Sequence, residues 1–188
     1  MKKLLFLLLI APLFFISSCE EESNNVEPLY EIGDLAEGGI VFYLDETGEH
    51  GLVAAMEDLE EGYEWGCNGT GLSGADGTSS GAGYQITLDI VSGCSETPIA
   101  ASEALAYESE GYSDWYLPSR DELIEMYNTI GNGGSEGNLG GFEISGLVLY
   151  WSSSEYSNNF AWFVTFANGG SFYVSKSNTF RVRVIRAF

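Results

Sequence analysis

Asp114-Trp115-Tyr116-Leu117-Pro118-Ser119-Arg120-Asp121-Glu122-Leu123 is the stretch whose reading decides the fold. Its first half is a short extended segment that runs into Pro118. Ser119 and Glu122 then have the spacing of a capping box, in which each side chain satisfies a free backbone donor of the other. The helix that follows places Leu123, Met126, Tyr127 and Ile130 on one apolar stripe, has Asp121 and Glu122 at its positive end, and has Gly131 as an expected left-handed stop. Upstream, apolar residues three and four apart predict helices over about Tyr84 to Val91 and Pro98 to Tyr107, with Pro98 in the first turn. The glycine- and serine-rich segment from Gly62 to Gly83 reads as an irregular loop. Before it, Gly39–Leu44 and Gly51–Met56 flank the polar turn Asp45 to His50 and read as a β-hairpin.

Downstream of a glycine-rich loop from Gly131 to Gly141, the pattern is all strand: Leu147 to Ser152, Ala161 to Phe166, Ser171 to Ser175 and Phe180 to Ile185. Asn168-Gly169-Gly170 carries the clearest hairpin turn. Strands at both ends with two to three helices between them predict an α+β domain whose N- and C-terminal strands share an antiparallel sheet.

The N-terminus has a different role. Lys2 and Lys3, an apolar run from Leu4 to Ile16 and the small residues Ser17-Ser18 have the layout of a secretory signal over residues 1–18. The run contains Pro12 and is short for a hydrocarbon core of about 30 Å. Ile16-Ser17-Ser18-Cys19 resembles the lipobox of bacterial lipoproteins, which makes Cys19 the expected lipidation site, carrying palmitate or a similar chain, and the membrane anchor. Glu20, Glu21 and Glu22 open a polar stretch read as a tether over residues 19–29, with the folded domain at 30–188. The acidic triplet also resembles surface-export signals of Bacteroidetes-type lipoproteins. The expected location is therefore the cell outer membrane, facing outward, with a plain solvated linker as the alternative.

Removing the signal leaves five basic residues against 28 acidic ones, a net charge near −23. Such a surface repels nucleic acid and anionic head groups, so nucleic acid is excluded as a partner. Cys67 and Cys94 are then the remaining cysteine pair and, in an oxidising compartment, are expected to form a disulfide contributing roughly 3 kcal/mol. The rival reading, half of a metal site, has only His50 to complete it and no CxxC spacing.

Gly38-Gly39-Ile40-Val41-Phe42, Asp114 to Ser119 with Glu122-Leu123, Tyr150-Trp151-Ser152-Ser153-Ser154-Glu155, Ala161-Trp162, and Arg181-Val182-Arg183 to Arg186-Ala187-Phe188 form an ordered series. Together they resemble the family of the C-terminal domain of the Legionella collagen-like protein, over roughly residues 36–188. That family is similar in turn to the C-type-lectin-like fold, including formylglycine-generating enzymes and retroelement-diversified variable proteins. The resemblance implies adhesion or ligand binding, with sulfated glycans recognised by the collagen-like protein itself. This chain departs from it in charge. Lys176, Arg181, Arg183 and Arg186 offer a local basic patch, or else a structural role: Arg181 and Arg183 share a strand face, and Arg186, on the other, calls for a buried carboxylate partner.

Between Glu155 and Arg181, aromatic and small polar residues mix in the manner of evolved binding surfaces. The candidate ligand-binding residues are Tyr156, Asn158, Asn159, Phe160, Phe163, Asn168, Tyr173, Lys176 and Asn178. The expected partner is a glycan or protein on a host, a neighbouring cell or the matrix, and this stretch is where retroelement-diversified proteins vary.

No catalytic residue is expected. Formylglycine-generating chemistry relies on late cysteines, absent here after Cys94; His50 reads as a turn residue; and Asp58, Glu60 and Glu61 read as a charge run. No cofactor is expected, with calcium the open question. Asp76, and Glu155 beside Asn158 and Asn159, are the suggestive oxygen groups, without the spacing of a regular calcium loop. A non-binding structural lipoprotein of the envelope and a distant enzyme of the formylglycine-generating type remain the alternatives.

Overall fold

A computed structural model describes residues 29–188; the signal, Cys19 and nearly all of the tether lie outside the described residues. The capping box forms as expected. Ser119 N–H donates to Glu122 Oε2 at 2.6 Å, Glu122 N–H donates to Ser119 Oγ at 3.3 Å, and a helix runs over Arg120–Thr129. Glu122 is fully buried and also accepts Gly81 N–H at 2.8 Å, which ties the preceding loop to the helix start; burial nevertheless raises its carboxyl pKa. Gly131 is not a left-handed stop, because its φ is not positive. It is needed for closeness instead: a Cβ there would lie 2.7 Å from Tyr127 Cα.

In chain order the elements are β1 Leu35–Ala36, β2 Gly39–Leu44, β3 Gly51–Ala54, β4 Tyr63–Glu64, α1 Gly83–Gly93, α2 Ala100–Ala106, α3 Arg120–Thr129, β5 Leu149–Ser157, β6 Phe160–Thr165, β7 Ser171–Ser175, β8 Thr179–Phe180 and β9 Ile185–Ala187. Pro98 does not sit in the first turn of α2. It follows a cis peptide after Thr97, and Ile99 occupies the N-cap, its N–H donating to Ser102 Oγ at 3.0 Å. The predicted α+β class holds. One antiparallel sheet, ordered β1-β2-β3-β9, joins the two ends of the chain; β4 pairs with β8; and β5-β6-β7 form a third sheet.

The expected single strand from Phe180 to Ile185 is broken into β8 and β9. The intervening residues have neighbours on several sides: Leu59 N–H donates to Val182 O and Ala55 N–H to Val184 O, while Trp151 N–H donates to Arg181 O and Arg181 N–H to Leu149 O. Ile185 and Tyr116 exchange both backbone bonds. The C-terminal segment is thus the seam between the sheets. Its valines, Val182 and Val184, enter a core with Trp65, Trp115, Leu117 and Trp151 against α1 and α2, whereas Ile185 joins Phe42, Leu123, Met126, Tyr150 and Phe166 under α3.

The basic residues of this seam are used inside the protein. Arg183 is 2% exposed and donates to Asp58 Oδ1 at 2.7 Å, to Gly140 O at 2.9 Å and to Ala55 O at 3.1 Å, with its guanidinium over the Phe142 ring. Asp58 also accepts Arg181 at 3.3 Å and the Tyr150 hydroxyl at 3.0 Å. Asp58 is therefore not part of a solvated charge run. Arg181 and Arg183 do share a side, and Arg186 meets Asp114 through two bonds of 2.7 and 3.1 Å. Asp114 is half exposed rather than buried.

The disulfide is present between Cys67 and Cys94. Among the described residues they form a close group with Glu96, but the sulfurs are bonded to each other and Glu96 Oε2 accepts Cys67 N–H at 2.6 Å, so no thiolate pair is left for a metal. No described helix is long and apolar enough to cross a membrane.

Two predictions follow from these ion pairs. Arg183→Met removes four-way bonding at the seam and leaves backbone carbonyls unpaired, so chemical denaturation is expected to show a loss of about 3 kcal/mol or more. Arg186 hydrogen bonding holds the Asp114 carboxyl below the usual range. A carboxyl lowered in the folded state stabilises fully above its unfolded pKa, and that stabilisation is lost as pH falls through the folded value. The stability gap between wild type and Asp114→Asn should therefore narrow on acidification below the ordinary carboxylate range, measured by thermal melts across pH.

Candidate functional site: an aromatic face at one end of the third sheet

The pairing of β5 with β6 shifts register between Trp151 and Glu155 and again before Ser157. The first shift lets Ser152, Ser153 and Ser154 bulge into the interior, where all three are fully buried. Ser153 N–H donates to Pro118 O at 2.8 Å and Ser154 Oγ accepts Arg120 N–H at 3.0 Å. The serine run therefore clamps the start of α3 to the sheet. Arg120 is held there with its guanidinium 5.0 Å over the Trp162 ring and paired to Asp121 at 2.8 Å.

Beyond the bulge, four aromatic rings collect. Trp162 and Tyr173 are paired across β6 and β7, so both point to one face. Tyr156 lies parallel to Tyr173 with ring centroids 3.7 Å apart, and Trp162 meets both edge-on, at 5.3 and 5.4 Å. Phe160 adds a further edge contact to Tyr173 at 6.0 Å. Tyr156, Phe160 and Tyr173 are exposed, about half of each of the two tyrosines being open to solvent. The neighbouring Tyr173 hydroxyl raises the Tyr156 phenol pKa, so Tyr156 is a neutral hydrogen-bonding group at physiological pH. Asn158 and Asn159 form the adjoining β5–β6 turn with exposed side chains.

Five of the nine candidate residues, Tyr156, Asn158, Asn159, Phe160 and Tyr173, are thus brought together. The other four are not. Phe163 points to the opposite face and packs with Phe172 and Phe180. Asn168 sits in the β6–β7 turn at the far end of the sheet, its side chain accepting Gly170 N–H. Asn178 is near the aromatic end but donates to Ser175 O at 2.9 Å.

Lys176 corrects the expectation most sharply. It is wholly buried, with its ammonium 2.5 Å from Glu155 Oε1, donating to Thr70 O at 2.8 Å and lying 4.5 Å over the Trp65 ring. A long polar side chain near a turn suggested exposure; the sheet's close approach to the irregular loop buries it. Glu155 is equally committed, since it also accepts Leu72 N–H at 3.0 Å. His50 lies exposed in its hairpin turn. Of the two readings of the basic residues, the structural one holds: Arg120, Lys176, Arg181, Arg183 and Arg186, the lysine and arginines of the described residues, are each paired with a carboxylate.

Trp162 is not among the candidate residues named from the sequence, and Arg120 enters there only at a helix start. The alternation of Phe160, Trp162 and Val164 on one strand was a usable signal for the tryptophan; nothing local marks Arg120.

The chain belongs to the Lcl C-terminal domain family, whose model matches residues 54–186. Comparison with curated proteins gives no match. Among solved structures, a fimbrial protein from Bacteroides ovatus ATCC 8483 is similar at 18% identity with a TM-score of 0.47, over 72% of this chain and 35% of that one. The chain thus spans about a third of that protein's length.

The two groups of residues should respond differently to mutation. Glu155→Ala leaves the Lys176 ammonium buried without its counter-ion and should cost about 3–5 kcal/mol, with much of it recovered when Lys176→Met is added. Tyr156→Ala and Phe160→Ala, at exposed positions, should cost no more than about 1 kcal/mol each. Urea unfolding of the four variants checks both expectations.

Proposed function

We propose that this protein is a lipid-anchored binding module of the outer membrane, tethered at Cys19 and facing outward, which recognises a glycan or protein ligand through the aromatic end of its third sheet. The family membership and the family's resemblance to lectin-like folds support a binding rather than a catalytic role. The observation that carries the reading is the group of exposed Tyr156, Phe160 and Tyr173 around the half-buried Trp162, beside Asn158, Asn159 and Arg120. Aromatic rings and small amides together offer large contact area with little entropy loss and adaptable hydrogen bonding. Folding stability does not require so many apolar rings at the surface.

The charge balance selects the ligand. With the described cations each paired internally and a strongly acidic chain around them, a polysulfated glycan meets net repulsion. The aromatic end itself is uncharged from Tyr156 to Ser175, which suits neutral sugars or an uncharged protein surface. The anchoring reading rests on the lipobox-like Ile16 to Cys19 and the acidic residues that follow it.

Glycan and protein arrays probed with the chain test the reading. Neutral glycans or protein partners should score and heparin-like polysulfates should not. Tyr156→Ala and Tyr173→Ala should each weaken a hit at least about tenfold, the range of interface hot spots. Asn168→Ala, at the far turn, should leave it unchanged. Equal loss from Asn168→Ala would place the site elsewhere.

A further inference from the structure

The third sheet has one closed edge and one open edge. Along β5, Trp151 N–H donates to Arg181 O, Ser153 N–H to Pro118 O and Glu155 N–H to Ala75 O, so that edge is covered. Among the described residues strand β7 has no such cover except at its end, where Ser175 O accepts Asn178 N–H at 3.0 Å and Asn178 Nδ2 at 2.9 Å. Its ladder with β6 is bracketed by Thr165 N–H donating to Gly170 O and Lys176 N–H donating to Asn159 O, each at 3.0 Å. The alternation of an antiparallel ladder then turns the backbone groups of Phe172 and Val174 toward β6, and those of Ser171, Tyr173 and Ser175 away from it. No described residue bonds the N–H or C=O of Tyr173.

Proteins protect open edges with charged side chains, prolines or bulges. Here Ser171-Phe172-Tyr173-Val174-Ser175 has none of them, and its pairing with β6 runs without a register shift. Phe172 on one face is 57% exposed and Tyr173 on the other is 46% exposed. Such an edge is a template for another strand.

We infer that β7 pairs antiparallel with β7 of a second copy of this chain, centred on Tyr173. The strand is self-complementary about that residue. Tyr173 opposite Tyr173 gives two reciprocal backbone hydrogen bonds, Ser171 falls opposite Ser175, and Phe172 falls opposite Val174, an aromatic against a β-branched residue, which is a favourable cross-strand pair. A two-fold axis through this point makes the contact close on itself rather than propagate. Charge points to the same place. The chain carries 28 acidic residues, yet none lies between Tyr156 and Ser175, so two copies can meet on this strand without that stretch bringing carboxylates together. The product is one continuous sheet of six strands, in which Tyr173 from each copy lies side by side and the two aromatic faces become one. The inference rests on backbone groups and strand pattern, not on the ligand reading, so either can fail alone.

The test uses the full chain carrying Cys19→Ser, so that no native thiol competes, with single cysteines introduced on β7. Under mild oxidation Tyr173→Cys should form a covalent dimer. Ser171→Cys alone should not, but a mixture of Ser171→Cys and Ser175→Cys chains should. In sedimentation, the mass of the parent chain should rise toward twice the monomer with concentration. Ser171→Pro, which removes an outward N–H and no bond to β6, should stay monomeric with an unchanged circular dichroism spectrum. Equal cross-linking of Ser171→Cys, Phe172→Cys and Tyr173→Cys, or a parent chain that stays monomeric at every concentration, overturns the inference.

Discussion

The carboxylate of Asp58 is the point on which the architecture depends. It accepts Arg183, Arg181 and the Tyr150 hydroxyl, and so gathers the segment after β3, the C-terminal seam and β5 at one anion. Arg183 carries the connection further, into Gly140 of the glycine-rich loop and the carbonyl of Ala55. A buried ion pair is costly unless its remaining donors and acceptors are satisfied. Here they are, and the satisfaction fixes how the N-terminal sheet and the third sheet lie relative to one another, with the two cores of apolar side chains on either side.

A second buried pair does the same for the irregular loop. The segment between β4 and α1 has no ladder of its own. The disulfide holds it at Cys67, and the Glu155 carboxylate holds it at Leu72, with Lys176 closing the contact from above Trp65. Both members of that pair border the uncharged stretch that carries the aromatic face. Their burial lets β5–β7 present rings and amides at the surface while the flanking charges are turned inward and neutralised.

The aromatic face is therefore a consequence of the packing beneath it. The serine bulge on β5 brings the start of α3 against the sheet, which sets Arg120 over Trp162, and the register of β6 with β7 sets Trp162 beside Tyr173. The same register leaves the outer side of β7 unpaired. Surface recognition and strand pairing are accordingly neighbouring properties of one short segment.

The sequence by itself determined what depends on near neighbours. The Ser119–Glu122 box, the Asn168-Gly169-Gly170 turn, the first hairpin, the α+β class and the grouping of Tyr156, Phe160 and Tyr173 near a strand turn all follow from local hydrogen bonding and side-chain period. The tertiary structure decided what depends on distant partners. It split the last predicted strand into β8 and β9, because residues 181–184 find backbone partners in segments far apart in the chain. It withdrew Lys176, Arg181, Arg183 and Arg186 from any role as a free basic patch, because each finds a carboxylate between 21 and 149 residues away. It also brought Arg120 to the aromatic end. Charge is countable from composition, but whether a charge meets solvent or a buried partner is set only when the chain folds.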